Sequence, residues 1–194
     1  AARASAPLLA IQDADDESHP RRLELQVAAL DAHPELALLG AAARRTDDVG
    51  ATVDWPVAGS APAPRSVGRR VLVTNPIVHT SVVVRREALD AVGGYDATRE
   101  WQYDHDLYLR LLEHAGPASL GVLDVPLVLK RRHDGQAFEG GDVAARLASS
   151  RQLQLAAARR RPLPERLALE VAVRGRHLAR RASAEVDARR RRRG

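Results

Sequence analysis

A short apolar segment that runs directly into a cluster of acids is the feature that most restricts how this chain folds. The segment Pro7–Ile11 (PLLAI) has the composition of a buried β-strand. The next nine residues, Gln12–Pro20 (QDADDESHP), place four acids within five positions. Because ligands in α/β sheets gather at the carboxyl ends of strands, this arrangement predicts an α/β fold with a binding loop at that point.

The acid cluster has two readings on the residues alone. One is a solvated turn whose charges also favour the start of the following helix. The other is a site in which Asp13 and Asp15 hold a hard divalent cation, since neighbouring carboxylates repel one another unless a positive charge lies between them. An EF-hand loop fits poorly, because Ser18 occupies the sixth position, where that loop needs glycine.

The rest of the chain alternates between helix-like and strand-like segments. Pro20 suits the first position of a helix, whose apolar face we expect at Leu23, Val27 and Leu30. This alternation predicts a layered α/β fold. The further predicted elements are a strand at Glu35–Ala43, a loop at Ala51–Pro64, a short helix at Ser66–Val73, a strand at His79–Arg86, a helix at Arg86–Val92, a helix at Asp104–Gly116 and one or two strands at Leu120–His133.

Charge divides the chain into two parts. Residues 1–150 carry 16 basic and 21 acidic side chains, whereas residues 151–194 carry 14 basic and 4 acidic ones. We therefore expect an α/β part at residues 1–140 and a basic helical tail at residues 141–194, with a boundary near Glu139–Asp142 and a disordered Arg-rich end.

Composition excludes several classes of protein. With no cysteine, the chain has no disulfide, no cysteine nucleophile and no zinc–thiolate site. The longest apolar run, Leu36–Ala43, is far shorter than the ~18 residues that span a bilayer. No secretory signal is recognisable, so we expect a cytoplasmic protein.

Four segments in a fixed order carry a family resemblance. They are residues 13–40, 75–96, 103–116 and 125–136, and together they resemble the carboxyl-side half of a family 2 glycosyltransferase of the GT-A fold. The resemblance covers residues 5–137. It implies metal-dependent transfer of a sugar, with inversion, from a nucleotide-sugar donor to a hydroxyl of a glycan or lipid-linked acceptor.

The resemblance also implies the donor-side residues. Asp13 and Asp15 match the D-x-D motif that holds Mn²⁺ or Mg²⁺ together with the ribose–diphosphate part of the donor. Asp15 matches the main metal ligand, and Asp16 is adjacent to it. His133, with Gln136, matches a late segment that closes over the diphosphate.

On the acceptor side, Asp104 matches the catalytic base of the family. The family usually has Glu-Asp at this place, where this chain has Tyr103-Asp104. Gly93, Gly94 and Tyr95 match a loop that lines the acceptor side, and His79 falls in the strand that leads beneath the site.

Simpler structural readings stand beside these assignments. Asp104 and Asp106 are also favourable acids for a helix N-terminus, where each contributes ~0.3–1 kcal/mol. The pair Gly93–Gly94 is also a plain helix C-cap. Tyr95 and Tyr103 are also ordinary packing residues.

The nucleoside-binding strands and helices of the family have no counterpart in this sequence. We therefore expect only the catalytic half of the domain, with little activity by itself. An incomplete sheet of this kind exposes an apolar edge and favours weak stability or aggregation.

The basic tail carries a predicted helix with Leu167, Val171 and Leu178 on one side. Such a helix suits peripheral contact with an anionic membrane at its inner face, where each Arg near the lipid contributes ~1 kcal/mol. A function of another class, a non-catalytic protein that binds RNA or DNA, is the alternative. The acidic body and the lack of a nucleic-acid motif disfavour it. A solvated helix without a binding role is a third reading.

Overall fold

The computed structural model describes residues 4–46, 55, 62–131 and 143–191. The strands are β1 (Leu8–Ala10), β2 (Glu17–Ser18), β3 (Leu38–Thr46), β4 (Arg65–Ser66), β5 (Val83–Arg85) and β6 (Leu120–Arg131). The helices are α1 (Arg22–Ala32), α2 (Gly68–Val71), α3 (Arg86–Ala91), α4 (Tyr103–Ala115), α5 (Val143–Arg159) and α6 (Leu163–Arg191). Short 3₁₀ turns lie at His79–Ser81 and Pro117–Ser119.

The six strands form one mixed sheet in the order β1-β5-β3-β6-β2, and β4 also pairs with β6. Its centre is the parallel pair of β3 and β6, which runs from Leu38 opposite Leu120 to Thr46 opposite Arg131. All other pairings are antiparallel. The predicted layered α/β fold is confirmed, and the segment predicted as one or two strands at Leu120–His133 forms the single long strand β6 within the described residues.

The sheet separates two apolar layers. Leu38 packs in a layer with Leu107 and Tyr108 of α4, whereas its neighbour Leu39 packs in a second layer with Leu30 of α1. Successive side chains of a strand point to opposite faces, so β3 contributes to both layers. Because α4 packs on the sheet through Leu107 and Tyr108, the residues at the start of this helix have a fixed position relative to the sheet.

The first predicted strand is less buried than expected. Residues Leu8 and Leu9 are half-buried and Ala10 is exposed, because β1 lies at an edge and pairs with β5 on one side. The predicted strand at His79–Arg86 also differs, since its first three residues form a 3₁₀ turn before β5.

The buried face predicted for the first helix was wrong. Leu30 is fully buried, but Leu23 and Val27 are 54% and 36% exposed. The helix instead buries Arg22 and Gln26. Both side chains hydrogen-bond to backbone carbonyls near β1, β3 and β5, and buried polar groups need such partners. The helix also begins at Arg22, two residues after Pro20.

The tail helices pack on the α/β part. Leu153 and Ala157 of α5 belong to the apolar layer that contains α4. Gln154 of α5 contacts His177 of α6, with 2.9 Å between the side-chain oxygen and Nε2. The tail is helical as predicted, and α6 extends to Arg191, into the Arg-rich end that was predicted to be disordered. The predicted boundary near residue 140 lies outside the described residues. Among the described residues, no helix combines the length and apolar character needed to cross a membrane.

Candidate active site

The acid cluster lies in the turn between β1 and β2. One carboxylate oxygen from each of Asp13, Asp15 and Asp16 lies within 4.8 Å of the others. The backbone N–H of Asp16 donates to the carbonyl of Asp13 at 3.3 Å and closes the turn. The three carboxylates therefore lie in a turn that a backbone hydrogen bond closes.

Two side chains hold this turn, one from the adjacent residue Gln12 and one from the distant residue Thr80. The amide of Gln12 donates to the carbonyls of Asp13 and Asp16 at 3.0 and 2.8 Å. The backbone N–H of Asp13 donates to the hydroxyl of Thr80 at 3.0 Å. Thr80 belongs to the 3₁₀ turn directly before β5, so this hydrogen bond ties the acid-bearing loop to the sheet.

A buried arginine lies beneath the same loop. Arg22 donates to the side-chain oxygens of Gln12 and Ser18, each at 2.9 Å, and to the carbonyl of Ile11 at 2.8 Å. Burial lowers the pKa of Arg22, yet a guanidinium stays charged in proteins. Arg22 was not among the residues predicted from the sequence. The sequence feature that could have indicated it is an arginine in the first turn of the helix that follows the acid cluster.

Asp16 has an incompletely satisfied carboxylate. Its side chain is only 1% exposed, and its Oδ1 accepts from the backbone N–H of Arg131 at 3.2 Å. Oδ2 is buried without a hydrogen-bond partner in the part of the chain that the structure describes. The ammonium of Lys130 lies 4.0 Å away. Burial raises the pKa of Asp16 and the charge of Asp15 adds to this shift, while Lys130, the Arg131 N–H and the hydroxyl of Thr80 oppose it.

These features fit a divalent cation. Mn²⁺ and Mg²⁺ prefer oxygen ligands, and three carboxylates within 4.8 Å supply them. A buried acceptor that lacks a donor is also costly, and a bound cation would satisfy it.

The predicted base lies in the first turn of α4. Asp104 Oδ2 accepts a hydrogen bond of 2.7 Å from the amide of Asn75, a residue that the sequence analysis did not single out. Asn75 is itself oriented, because its Oδ1 accepts from the backbone N–H of Ile77 at 3.3 Å.

All three tyrosines of the chain surround His79. The ring centroid of His79 lies 5.7, 5.6 and 6.5 Å from those of Tyr95, Tyr103 and Tyr108. We call these four residues the tyrosine cluster. His79 Nδ1 and the hydroxyl of Tyr108 lie 3.1 Å apart. Tyr95 and Tyr103 therefore pack against His79, while Tyr103 remains 43% exposed.

Electrostatics links the two acidic positions through this cluster. Burial raises the pKa of Tyr95 to about 12, and the charges of Asp104 and Asp13 add to the shift. Burial lowers the pKa of His79, and the same two carboxylates oppose that change. Asp13 and Asp104, 91 positions apart in the chain, therefore act on the same rings.

The two glycines before Tyr95 end α3. Gly93 and Gly94 have φ angles of 76° and 70°, which favour glycine, and the N–H of Gly94 donates to the carbonyl of Leu89 at 2.9 Å. The helix C-cap reading is confirmed. A Cβ at either position would meet nothing within 4 Å, so the surface above them is open. Their acceptor-side role stays a prediction.

His133 and Gln136 lie outside the described residues. Asp106 contacts Arg99 at 3.1 Å and Arg110 at 2.8 Å, so it has a structural ion-pair role.

A depression of about 360 Å³ lies away from these residues. It is lined in part by Leu36, Arg85 and His114, near the carboxyl end of α4. Asp104 lies at the opposite end of that helix, so this depression is separate from the acidic positions.

Two curated proteins are similar to the chain in sequence. EpsE of Bacillus subtilis (strain 168), provisionally named as a glycosyltransferase, is 30% identical over 138 residues, which cover 70% of this chain and 47% of EpsE. The amylovoran biosynthesis glycosyltransferase AmsE of Erwinia amylovora is 28% identical over 130 residues, which cover 66% of this chain and 45% of AmsE. The chain thus spans about half the length of the curated relatives it matches.

Solved structures share the fold. The crystal structure of S. aureus TarS 1–349 in complex with UDP-GlcNAc matches with a TM-score of 0.65 at 14% identity, over 92% of this chain and 50% of that chain. The crystal structure of the same protein in complex with UDP matches with a TM-score of 0.61 at 13% identity, over 92% of this chain and 49% of that chain. No family model matches the chain.

Proposed function

We propose that this chain is the catalytic-side half of a metal-dependent, inverting glycosyltransferase of family 2 with the GT-A fold. The observation that carries the proposal is the grouping of one carboxylate oxygen from each of Asp13, Asp15 and Asp16 within 4.8 Å. The charges of Asp13 and Asp104 both act on the pKa values of His79 and Tyr95, which supports a shared site. The sequence relatives bear the name glycosyltransferase, and TarS, which shares the fold, was crystallised with UDP-GlcNAc and UDP. A nucleotide-sugar donor is therefore part of the proposal.

The donor side of the reaction rests on the acid turn. Asp13, Asp15 and Asp16 would hold Mn²⁺ or Mg²⁺. When bound, the cation offsets the negative charge that develops on the diphosphate as the bond to the sugar breaks. The contacts of Gln12 and Thr80 fix the turn beforehand, so little reorganisation is needed when the donor binds.

The acceptor side rests on Asp104. An acceptor hydroxyl is a weak nucleophile, and a carboxylate that removes its proton accelerates the attack. The acceptor oxygen bonds to the anomeric carbon as the bond to the diphosphate breaks, and the hydroxyl proton passes to Asp104. Asn75 donates to Oδ2 and leaves Oδ1 for this proton.

The tyrosine cluster offers an aromatic surface near Asp104. Tyr95 is half-buried, and Tyr103, which is 43% exposed, gives the cluster a side that faces solvent. Binding sites are commonly lined by aromatic side chains with a few polar groups. We place the glycan or lipid-linked acceptor at this face.

The experiment is calorimetric titration of UDP into the full-length gene product, with and without Mn²⁺. We expect Mn²⁺ to strengthen binding in the wild type and to have no effect in Asp15→Ala, because the cation bridges protein and phosphate. Asp31→Ala, an exposed acid on α1, is the matched control. If Mn²⁺ strengthens binding equally in Asp15→Ala, the acid cluster is only a solvated turn and the proposal is wrong.

A further inference from the structure

We infer that the outward face of α6 docks on an anionic membrane surface. This inference does not depend on the sugar-transfer proposal. Its basis is a row of large apolar side chains that face solvent, namely Leu163, Leu167, Val171 and Leu178, which we call the apolar stripe. These side chains are 65%, 55%, 73% and 69% exposed. Most large apolar side chains of the chain are buried, so four exposed ones on one helix need an explanation.

The members of the stripe lie along one side of the helix. They are spaced by four, four and seven residues, which places them on one side of an α-helix. From Leu163 to Leu178 the stripe extends over about 22 Å. Ala168, Ala172 and Ala179 are also exposed, and the exposed Arg174 lies in the gap between Val171 and Leu178.

The helix uses another side to pack on the rest of the protein. Val173 and His177 are buried, and His177 contacts Gln154 of α5. The stripe is therefore not needed for attachment to the α/β part, and it stays outside after α6 has packed.

The charges next to the stripe are positive. Arg174 and Arg181 follow Val171 and Leu178 by three residues, which places them beside the stripe, and both are exposed. Glu170 is already paired with Arg166 at 2.9 Å and with Arg174 at 3.6 Å. The outward side thus combines apolar side chains with exposed guanidinium groups.

An anionic bilayer is the partner that uses both features. Apolar side chains of a surface helix enter the boundary between head groups and acyl chains, while arginines contact lipid phosphates. A second copy of this chain would place the arginines of one helix near those of the other. RNA or DNA would bind the arginines but leave the leucines in water, because phosphate contacts come from charged and polar groups.

The test is co-sedimentation of the 194-residue chain with vesicles. One set contains phosphatidylcholine alone, and the other contains phosphatidylcholine with phosphatidylglycerol. We expect binding to the anionic vesicles to be at least roughly tenfold tighter. Leu167→Gln/Val171→Gln should weaken it by roughly tenfold or more, and Arg174→Gln/Arg181→Gln should remove the preference for anionic lipid.

The matched control is Leu23→Gln/Val27→Gln, an exposed apolar pair on α1. It should bind like the wild type, and circular dichroism checks that each variant keeps its helical content. Equal binding to both vesicle sets, or none, would overturn the inference. A wild-type dimer that is absent in Leu167→Gln/Val171→Gln would also overturn it, because the stripe would then be a contact between two copies. The same holds if an RNA oligonucleotide displaces the protein from vesicles and binds Leu167→Gln/Val171→Gln as well as it binds the wild type.

Discussion

The amide of Asn75 donates a hydrogen bond of 2.7 Å to Oδ2 of Asp104, across 29 positions of the chain. The backbone of Ile77 fixes the opposite end of the same amide. This contact limits the directions in which the Asp104 carboxylate can point. In the proposed reaction it makes Asn75 a positioning residue, since it acts through Asp104.

We expect Asn75→Ala to lower kcat by roughly 10- to 100-fold, because a loosely held base spends less time aligned with the acceptor. KM for the donor should stay unchanged, since the acid turn is untouched. Steady-state kinetics of the full-length gene product measures both constants. A rise in KM for the donor with kcat unchanged would contradict a positioning role.

Asp104→Asn should lower kcat by ~10²–10⁴-fold, because an amide cannot take the proton of the acceptor hydroxyl. The change keeps the shape of the side chain, so donor affinity and Tm should stay near their wild-type values. Kinetics, calorimetry and thermal unfolding of the full-length protein provide the three readouts.

Asp106→Asn is the comparison for Asp104→Asn, because both acids lie in the first turn of α4. Asp106 binds Arg99 and Arg110, so its change should destabilise the fold by about 1–3 kcal/mol. The kcat of the Asp106→Asn variant should stay close to the wild-type value. Equal, small changes in kcat at both positions would remove Asp104 from the mechanism.

Asp16→Asn should have opposite effects without and with Mn²⁺. Without Mn²⁺ we expect Tm to rise by about 2–4 °C, equivalent to about 1 kcal/mol, because burial disfavours the ionised carboxylate. With Mn²⁺ the variant should lose the increase in Tm that the wild type shows. Thermal unfolding of the 194-residue chain tests both parts. An unchanged response to Mn²⁺ would exclude Asp16 as a ligand.

Acid should destabilise the fold through His105. Burial lowers the pKa of this fully buried ring, and Arg180 adds to the shift, while the carbonyl of Val71 and the carboxylates of Asp104 and Asp106 oppose it. The folded pKa lies below the unfolded value of about 6.5. The stability contribution is therefore complete above about pH 6.5 and is lost as the pH falls through the folded pKa.

The measurement is Tm of the 194-residue chain as the pH is lowered from neutral. His105→Gln should reduce the dependence of Tm on pH, because the titrating group is removed. Burial also lowers the pKa values of His79 and His177, so part of the dependence should remain. An identical pH dependence in His105→Gln and wild type would show that His105 does not contribute.

Local patterns were enough to predict the order of the main elements. The acid turn follows β1, Asp104 lies in the first turn of α4, and glycines end α3, all as the sequence indicated. Each of these features depends on neighbouring residues alone, through strand or helix periodicity and through the φ angles that glycine permits.

The tertiary structure decided which helix face is buried and which distant residues meet. The apolar pattern of α1 pointed to Leu23 and Val27, but the hydrogen bonds of Arg22 and Gln26 turn those residues outward. The contact of Asn75 with Asp104 and the gathering of tyrosines around His79 depend on the order of strands in the sheet. Strand order is set by packing and hydrogen bonding between distant segments, so no short stretch of this sequence contains it.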